Sequence, residues 1–287
     1  MKKNPDKKKN QFVMTLQRTV ENKVSLIGLI ILGVLLLLII FADVIAPYDP
    51  NYMDVTAIHG TPSARHILGC DQFGRDLFSR ILYGGRYSLA LGFICAIIGF
   101  AAGVIFGSPV GYAGGTTDMV VMRLCDIFSA IPGQLLAILI SSALGTGYFY
   151  TILAMTIGCI PNSIRGTRAM ALKEREMEYL EAAEAMNVPK WKIVYKHMVP
   201  NIVSPSIVGT TMMIGNSIMG AAGLTFVGLG VGLTTPEWGA ILSNSRSFFS
   251  QYPHEILFPG LVLFITVLAI NMIGDGLRDA LDPKLKR

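Results

Sequence analysis

An almost uninterrupted apolar stretch occupies residues 24–45 and includes the run VLLLLIIF at residues 34–41. At 1.5 Å per residue, a helix of this length extends roughly 33 Å, which is enough to cross the hydrocarbon core of a bilayer. A cleaved signal peptide is the alternative, but its apolar region covers only about 7–15 residues and precedes a small-residue cleavage site, which is missing here. The stretch therefore predicts a retained membrane-spanning helix.

The composition extends this prediction to the whole chain. The mean hydropathy is +0.53, only 15% of the residues are charged, and 30 of the 287 residues are glycine. Such values are typical of a protein with several membrane spans. We predict an all-α membrane protein with six transmembrane helices, the first at residues 24–45 and the others at 87–112, 127–144, 149–164, 202–228 and 256–273.

Lysine and arginine are distributed unevenly between the loops that these spans define. Lysines occur in the N-terminal tail, between the fourth and fifth spans and in the C-terminal tail, whereas the opposite side carries arginines alone. The positive-inside rule therefore predicts that both termini are cytoplasmic. Because topology explains the basic balance, no nucleic-acid partner is expected. The predicted layout is a cytoplasmic tail at 1–23, a transmembrane domain at 24–273 with outward-facing segments at 46–86 and 229–255 and a cytoplasmic loop at 165–200, and a cytoplasmic tail at 274–287.

The sequence lacks motifs for independent chemistry. It contains no GxxxxGK[ST] phosphate loop, and His254-Glu255 is not followed by the second histidine of a zinc-hydrolase motif. The cysteines form no CxxC pair, so we expect packing residues rather than disulfide partners or metal ligands. The scattered histidines are expected to be surface polar residues. These cysteines and histidines are Cys70, Cys95, Cys125 and Cys159, and His59, His66 and His197.

Charged residues are scarce within the predicted spans. Asp43 lies at the outer end of the first span, and Arg123 and Asp126, three residues apart near the third, are predicted to pair on one helix face. Ion-coupled transporters usually need carboxylates within the membrane. The pattern therefore disfavours an ion-coupled secondary transporter, and the energy for any transport is expected to come from a partner. A passive channel and an intramembrane enzyme are further alternatives, but the sequence offers no catalytic constellation for the latter.

Glycine recurs at every fourth position of the second span, at Gly99, Gly103, Gly107 and Gly111. This spacing places the glycines on one helical face and allows another backbone to approach closely. We favour packing within the chain over the alternative, a dedicated dimer interface.

A charged segment, EYLEAAEAMNVPKWKIVYKHMVPN at residues 178–201, separates two apolar spans. Residues 178–186 have high helix propensity. Asn187 suits the left-handed position that ends a helix, and Pro189 can begin the next one. We expect a second helix at residues 190–197 that Pro200 stops. The segment therefore predicts a helix–turn–helix on the cytoplasmic side, either a solvated connector or a docking element for an ATPase.

This segment resembles the EAA loop of bacterial ABC importer permeases, with matches at Glu181, Ala182, Ala183 and Pro200 and with Asn187 in place of the family's glycine. Three further stretches resemble the dipeptide/oligopeptide/nickel branch, and the last two resemble its C-type subunit. They are HILGCDQFGRDLFSRILYGGRYSL at residues 66–89, GLTFVGLG followed by TPEWGAIL at 223–242, and GDGLRDALDPKLKR at 274–287.

The resemblance implies a type I ABC importer permease fold with a cytoplasmic coupling helix. It also implies the partners: a B-type permease homologue, two cytoplasmic ATPases and an extracytoplasmic substrate-binding protein, all at the bacterial inner membrane. No cofactor is expected in this chain, since ATP and Mg²⁺ would bind the ATPases. Peptides are the expected substrates, with nickel or a metallophore complex as the alternative. The residues implied for ATPase coupling are Glu181, Ala182, Ala183, Met186, Asn187 and Lys190.

Overall fold

The computed structural model describes residues 17–232 and 234–281, and this part of the chain is a bundle of α-helices. Of the predicted tails, residues 1–16 and 282–287 lie outside the described residues, whereas residues 274–281 belong to the last helix of the chain. The helices are α1 (Lys23–Ile40), α2 (Ala42–Ile45), α3 (Leu77–Ala113), α4 (Gly115–Ser129), α5 (Gly133–Leu144), α6 (Tyr148–Arg175), α7 (Glu178–Ala185), α8 (Lys190–Phe226), α9 (Trp238–Ser245) and α10 (His254–Leu281).

Four of these helices, α1, α3, α8 and α10, are long and apolar enough to cross a membrane, and the number rises to five if α4 and α5 form one broken span. Helix α6 contains the predicted fourth span, but it extends into the charged sequence that ends at Arg175. The all-helical architecture is thus established for the described residues, whereas six spans and cytoplasmic termini stay predictions.

The predicted third span, at residues 127–144, is not one continuous helix. Helices α4 and α5 meet at an angle of 77°. Pro132 has ψ 133° and precedes the first residue of α5. A proline disfavours helical geometry at the residue before it and cannot donate a backbone hydrogen bond, so the chain breaks at this point.

Helix α3 begins ten residues before the predicted start of the second span, inside the predicted outer segment. Asp76 caps this end, because one carboxylate oxygen accepts hydrogen bonds from the Ser79 backbone N–H (2.8 Å) and the Ser79 hydroxyl (2.7 Å). The helix then continues to Ala113 through a π-helical turn at Gly103–Gly107.

The glycine face of α3 packs against α6 of the same chain. A β-carbon placed on Gly103 would lie 2.5 Å from the Thr167 hydroxyl oxygen, and one on Gly107 would lie 2.6 Å from the carbonyl oxygen of Ile164. Side chains at these positions would collide with the neighbouring helix. Packing within the chain, which we favoured, is confirmed, and the face is not free to form a dimer interface.

Helix α8 runs from the predicted second helix of the hairpin through the predicted fifth span without interruption, so the prediction that Pro200 ends a short helix is wrong. A π-helical turn at Ile193–Met198 precedes Val199. Because a π turn changes the hydrogen-bond pattern locally, the missing N–H of Pro200 does not break the helix.

The prediction that His59 and His66 are surface polar residues needs correction. His66 is buried, with Nδ1 2.9 Å from Asp76, and His59 is partly buried, with Nδ1 2.6 Å from the fully buried Glu255. His59 therefore joins two predicted outer segments that are 196 residues apart in sequence. His66 contacts the capping residue of α3, so neither histidine is a simple surface residue.

The predicted pair of Arg123 with Asp126 is also replaced. Asp126 instead forms an ion pair with Arg165 of α6, at 3.2 Å. Arg168, one turn further along α6, binds Asp118 of α4 through two nitrogens. Both ion pairs attach α4 to α6. The partner of Asp126 therefore depends on how these two helices pack, which the spacing of Arg123 and Asp126 does not reveal.

Candidate functional site

The hairpin predicted at residues 178–201 consists of α7 and the first turns of α8. Asn187 has φ +54°, so it adopts the left-handed conformation that the sequence predicts. Its N–H donates to the carbonyl of Glu184 (2.8 Å), and the N–H of Val188 donates to the carbonyl of Ala183 (3.1 Å). These two bonds define a Schellman motif, which ends α7 and reverses the chain.

The inner face of the hairpin forms a small apolar core. Leu180 and Ala183 of α7 pack against residues from the start of α8, and both are almost fully buried. The other buried members of this cluster are Tyr112, Ala171, Ile193, Val194, Met198 and Ile202. They come from α3, α6 and α8 itself, so the hairpin is packed onto two other helices, α3 and α6.

The burial of Ala183 changes one argument from the sequence. We expected its small side chain to allow a partner protein to approach. Instead, Ala183 is only 4% exposed and faces the hairpin core, whereas its neighbour Ala182 is exposed. The small size of Ala183 therefore serves the packing of the hairpin itself.

The other predicted coupling residues lie on the outer face of the hairpin. Glu181, Ala182, Asn187 and Lys190 are exposed, and Met186 is 72% exposed. The structure brings these residues together around the turn between α7 and α8.

Sequence reasoning missed Trp191. This side chain follows Lys190 and is 63% exposed, an unusual position for a large aromatic residue. Tryptophan is enriched at the energetic centres of protein interfaces. The signal that could have identified it is the isolated tryptophan between two lysines at the start of the second helix.

Tyrosine hydroxyls connect the hairpin to the bundle. The Tyr112 hydroxyl, near the end of α3, donates to a Glu184 carboxylate oxygen at 2.6 Å. The Tyr195 hydroxyl donates to the carbonyl of Ile105 at 3.0 Å. The hairpin is therefore bonded to α3 at two points.

A third tyrosine secures the base of α7. The Tyr179 hydroxyl donates to Glu174 (2.5 Å) and accepts from the Asn201 side chain (2.7 Å). Burial, together with the bond to Glu174, raises the pKa of Tyr179 to about 12. The phenol consequently stays protonated at neutral pH and keeps donating its hydrogen bond.

Among the described residues, one cluster has ligand types that could hold a metal ion: His66, Cys70 and Asp76 are buried, with ligand atoms within 4.8 Å of one another. Asp76 already accepts bonds from Ser79 and lies against His66. Burial raises the pKa of the Cys70 thiol to about 12, and the nearby Asp76 and Asp71 add to this shift. Because Asp76 already binds both His66 and Ser79, we interpret the cluster as part of the outer segment's packing.

Two family models match the chain. The model described as "Binding-protein-dependent transport system inner membrane component" covers residues 88–287, which include the hairpin. The model described as "N-terminal TM domain of oligopeptide transport permease C" covers residues 10–62.

The curated relatives agree with these models. A glutathione transport system permease protein GsiD from Pectobacterium atrosepticum is 45% identical over 258 residues, covering 89% of this chain and 86% of the relative. The protein of the same name from Escherichia coli O6:K15:H31 is 44% identical over 253 residues, covering 88% and 84%.

A solved structure supports the fold. A chain of the MetNI methionine ABC transporter in inward-facing conformations matches with a TM-score of 0.57 and 21% identity. The match covers 71% of this chain and 97% of that one.

Proposed function

Because the chain belongs to the binding-protein-dependent ABC importer permeases, in the dipeptide/oligopeptide family, we propose that it forms half of a translocation pathway for peptides. It is a multi-pass protein of the bacterial inner membrane and the permease subunit of an ABC importer. The permease is not an enzyme, since ATP hydrolysis belongs to partner subunits in this family.

The observation that carries the mechanism is the continuity of the hairpin with the bundle. Its second helix is the beginning of α8, which runs without a break from Lys190 to Phe226. Its first helix is held to α3 by the bond between Tyr112 and Glu184. A displacement applied at the hairpin therefore reaches both α3 and α8, so closure of an ATPase dimer can tilt two helices of the pathway together.

The outer face of the hairpin is suited to the ATPase. Met186 and Trp191 offer exposed apolar side chains, and Glu181 and Lys190 surround them with opposite charges. An apolar centre with a polar rim is the usual arrangement of an interface, with most of the binding energy at the centre. Ala182 and Asn187 have short side chains, which would allow the ATPase to approach the backbone beside these residues.

The proposed assembly contains this chain, a B-type permease homologue, two ATPases that bind ATP and Mg²⁺, and an extracytoplasmic binding protein. No cofactor is proposed for this chain. Peptides are proposed as substrates because the relatives are named as glutathione permeases and glutathione is a small peptide.

The docking proposal is tested with Trp191→Ala and the matched variant Trp191→Phe in the assembled importer. We expect Trp191→Ala to weaken ATPase binding by about 2 kcal/mol or more, the range of an interface hot spot. Trp191→Phe keeps most of the apolar surface and should retain most of the binding. Co-purification of the ATPases and peptide-stimulated ATP hydrolysis measure the effect.

Normal coupling in Trp191→Ala would contradict the assignment of this surface. Glutathione uptake by the wild-type chain in vesicles without ATPases would contradict the function itself.

A further inference from the structure

A cavity of about 240 Å³ lies between α5, α6 and α8. Its wall is mostly apolar and contains three glycines and two side-chain amides, those of Gln134 on α5 and Asn216 on α8. The described residues that line it include no acidic or basic side chain.

Neither amide has a hydrogen-bond partner within the described part of the chain, and both side chains are exposed. Asn216 lies near the middle of the apolar part of α8. An amide that faces hydrocarbon without a partner costs several kcal/mol, so polar groups at this depth face the bundle interior or a water-filled cavity. The pair therefore indicates that this face is turned away from lipid.

The spacing of neighbouring residues extends the feature along both helices. Asn216, Met219, Gly220 and Gly223 recur at the three- and four-residue intervals of one face of α8. A β-carbon built on Gly223 would lie 3.5 Å from the Gln134 amide nitrogen, so this amide lies over the same face. The two amides thus border one continuous groove.

The opposing wall comes from α6. Met155, Gly158 and Cys159 line the cavity, and Asn162 is exposed one turn further along the same face. A β-carbon on Gly158 would have only the Gly133 carbonyl oxygen near it, at 3.6 Å. The absence of side chains at these glycines is what keeps the cavity open.

We propose that Gln134 and Asn216 bind the peptide backbone on this chain's wall of the pathway. A carboxamide carries an acceptor oxygen and two donor hydrogens, which complement the N–H and C=O groups of a peptide bond. Binding through these groups is indifferent to the charges of the peptide's side chains, in agreement with the uncharged wall. A free divalent metal ion would require carboxylate, imidazole or thiolate ligands in greater number. The inference rests on the proposed function and specifies how its substrate is held.

The size of the cavity fits one half of a shared site. Complete pockets for small molecules are roughly 300–1,000 Å³, and this one, at about 240 Å³, is smaller. The second permease is expected to close the side of the site that this chain leaves open.

Cys159 provides a built-in reporter for the first test. It is partly exposed in the cavity, whereas Cys70, Cys95 and Cys125 are buried. In the assembled importer, we expect a small water-soluble maleimide to alkylate Cys159 faster than the other three cysteines. A peptide with neither a free thiol nor a disulfide, such as S-methylglutathione, should slow this reaction several-fold. Protection by Ni²⁺ and not by peptide would overturn the proposal.

The second test replaces each amide by an apolar side chain of similar size, in Asn216→Leu and Gln134→Leu. Loss of one neutral hydrogen bond should raise the KM for peptide uptake about 2- to 12-fold per site. The conservative variant Asn216→Asp, which keeps an acceptor but adds charge, should improve the uptake of lysine-containing peptides relative to neutral ones.

Three outcomes separate this inference from the proposed function. Unchanged KM in both leucine variants would overturn the inference while peptide uptake by the wild type upholds the function. Absence of uptake by the assembled wild type would overturn the function and, with it, the inference. Loss of the B-type permease from purified Asn216→Leu would show that the amides form a subunit contact and would also overturn the inference.

Discussion

Adjacent alanines on α7 provide a sharp test of the hairpin's orientation. Ala183 is buried at 4% exposure against Leu180 and the start of α8, whereas Ala182 is exposed. A tryptophan at position 183 must push apart a packed core, and overpacking of this kind typically costs about 1–3 kcal/mol. A tryptophan at position 182 projects outward and should leave the hairpin's stability almost unchanged.

The two variants should therefore lose coupling for different reasons. A cost of about 1–3 kcal/mol corresponds to about a 5- to 150-fold rise in the opening equilibrium, since 1.4 kcal/mol is a factor of ten. Hydrogen exchange of residues 178–198 in the membrane-bound importer should show this loss of protection for Ala183→Trp only. Ala182→Trp should retain protection and nevertheless block ATPase binding in a pull-down.

A matched pair of glycine variants controls for the bulk of tryptophan. Ala182→Gly costs about 1 kcal/mol of helix propensity, and Ala183→Gly adds the loss of a buried methyl group, about 0.8 kcal/mol. If Ala182→Trp lowered protection and Ala183→Trp did not, the assignment of inner and outer faces would be refuted.

Three further predictions concern the turn, its attachment and the topology. Asn187→Gly should be tolerated because φ is +54°, whereas Asn187→Val should destabilise the turn by at least about 1–2 kcal/mol, as read from hydrogen exchange and coupled ATP hydrolysis. Tyr112→Phe removes the hydrogen bond to Glu184, and a bond to a charged acceptor is worth about 1.5–3 kcal/mol. The variant should reduce peptide-stimulated ATP hydrolysis while ATPase binding persists. Unchanged peptide-stimulated hydrolysis would show that this bond does not transmit movement from the hairpin to α3. An impermeant maleimide should label Ser63→Cys in intact cells, and labelling only after permeabilisation would show that the topology is inverted.

The turn of the hairpin could be predicted from the sequence because its determinants are local. High helix propensity, an asparagine suited to positive φ and a proline two residues later all act within a few residues of one another. The observed end of α7 and the left-handed Asn187 confirm this interpretation. The apolar stretch at residues 24–45 likewise predicted α1 through its length and composition alone.

Side-chain placement could not be predicted in the same way. Ala182 and Ala183 are chemically identical, and only the docking of α7 onto α8 makes one of them a core residue. Asp126 forms its ion pair with Arg165 and not with Arg123, because α4 packs beside α6. In the same way, His66 is buried because the outer segment folds back onto the start of α3.

The sequence by itself therefore determined the membrane character of this protein, its main apolar helices and the turn between α7 and α8. Tertiary structure decided which hairpin face is exposed, that α8 continues past Pro200, and that Gln134 and Asn216 share one cavity. The physical reason is the separation along the chain over which each effect acts. Hydropathy and backbone preference are properties of neighbouring residues. Burial and ion pairing, in contrast, depend on segments that meet only after the chain has folded.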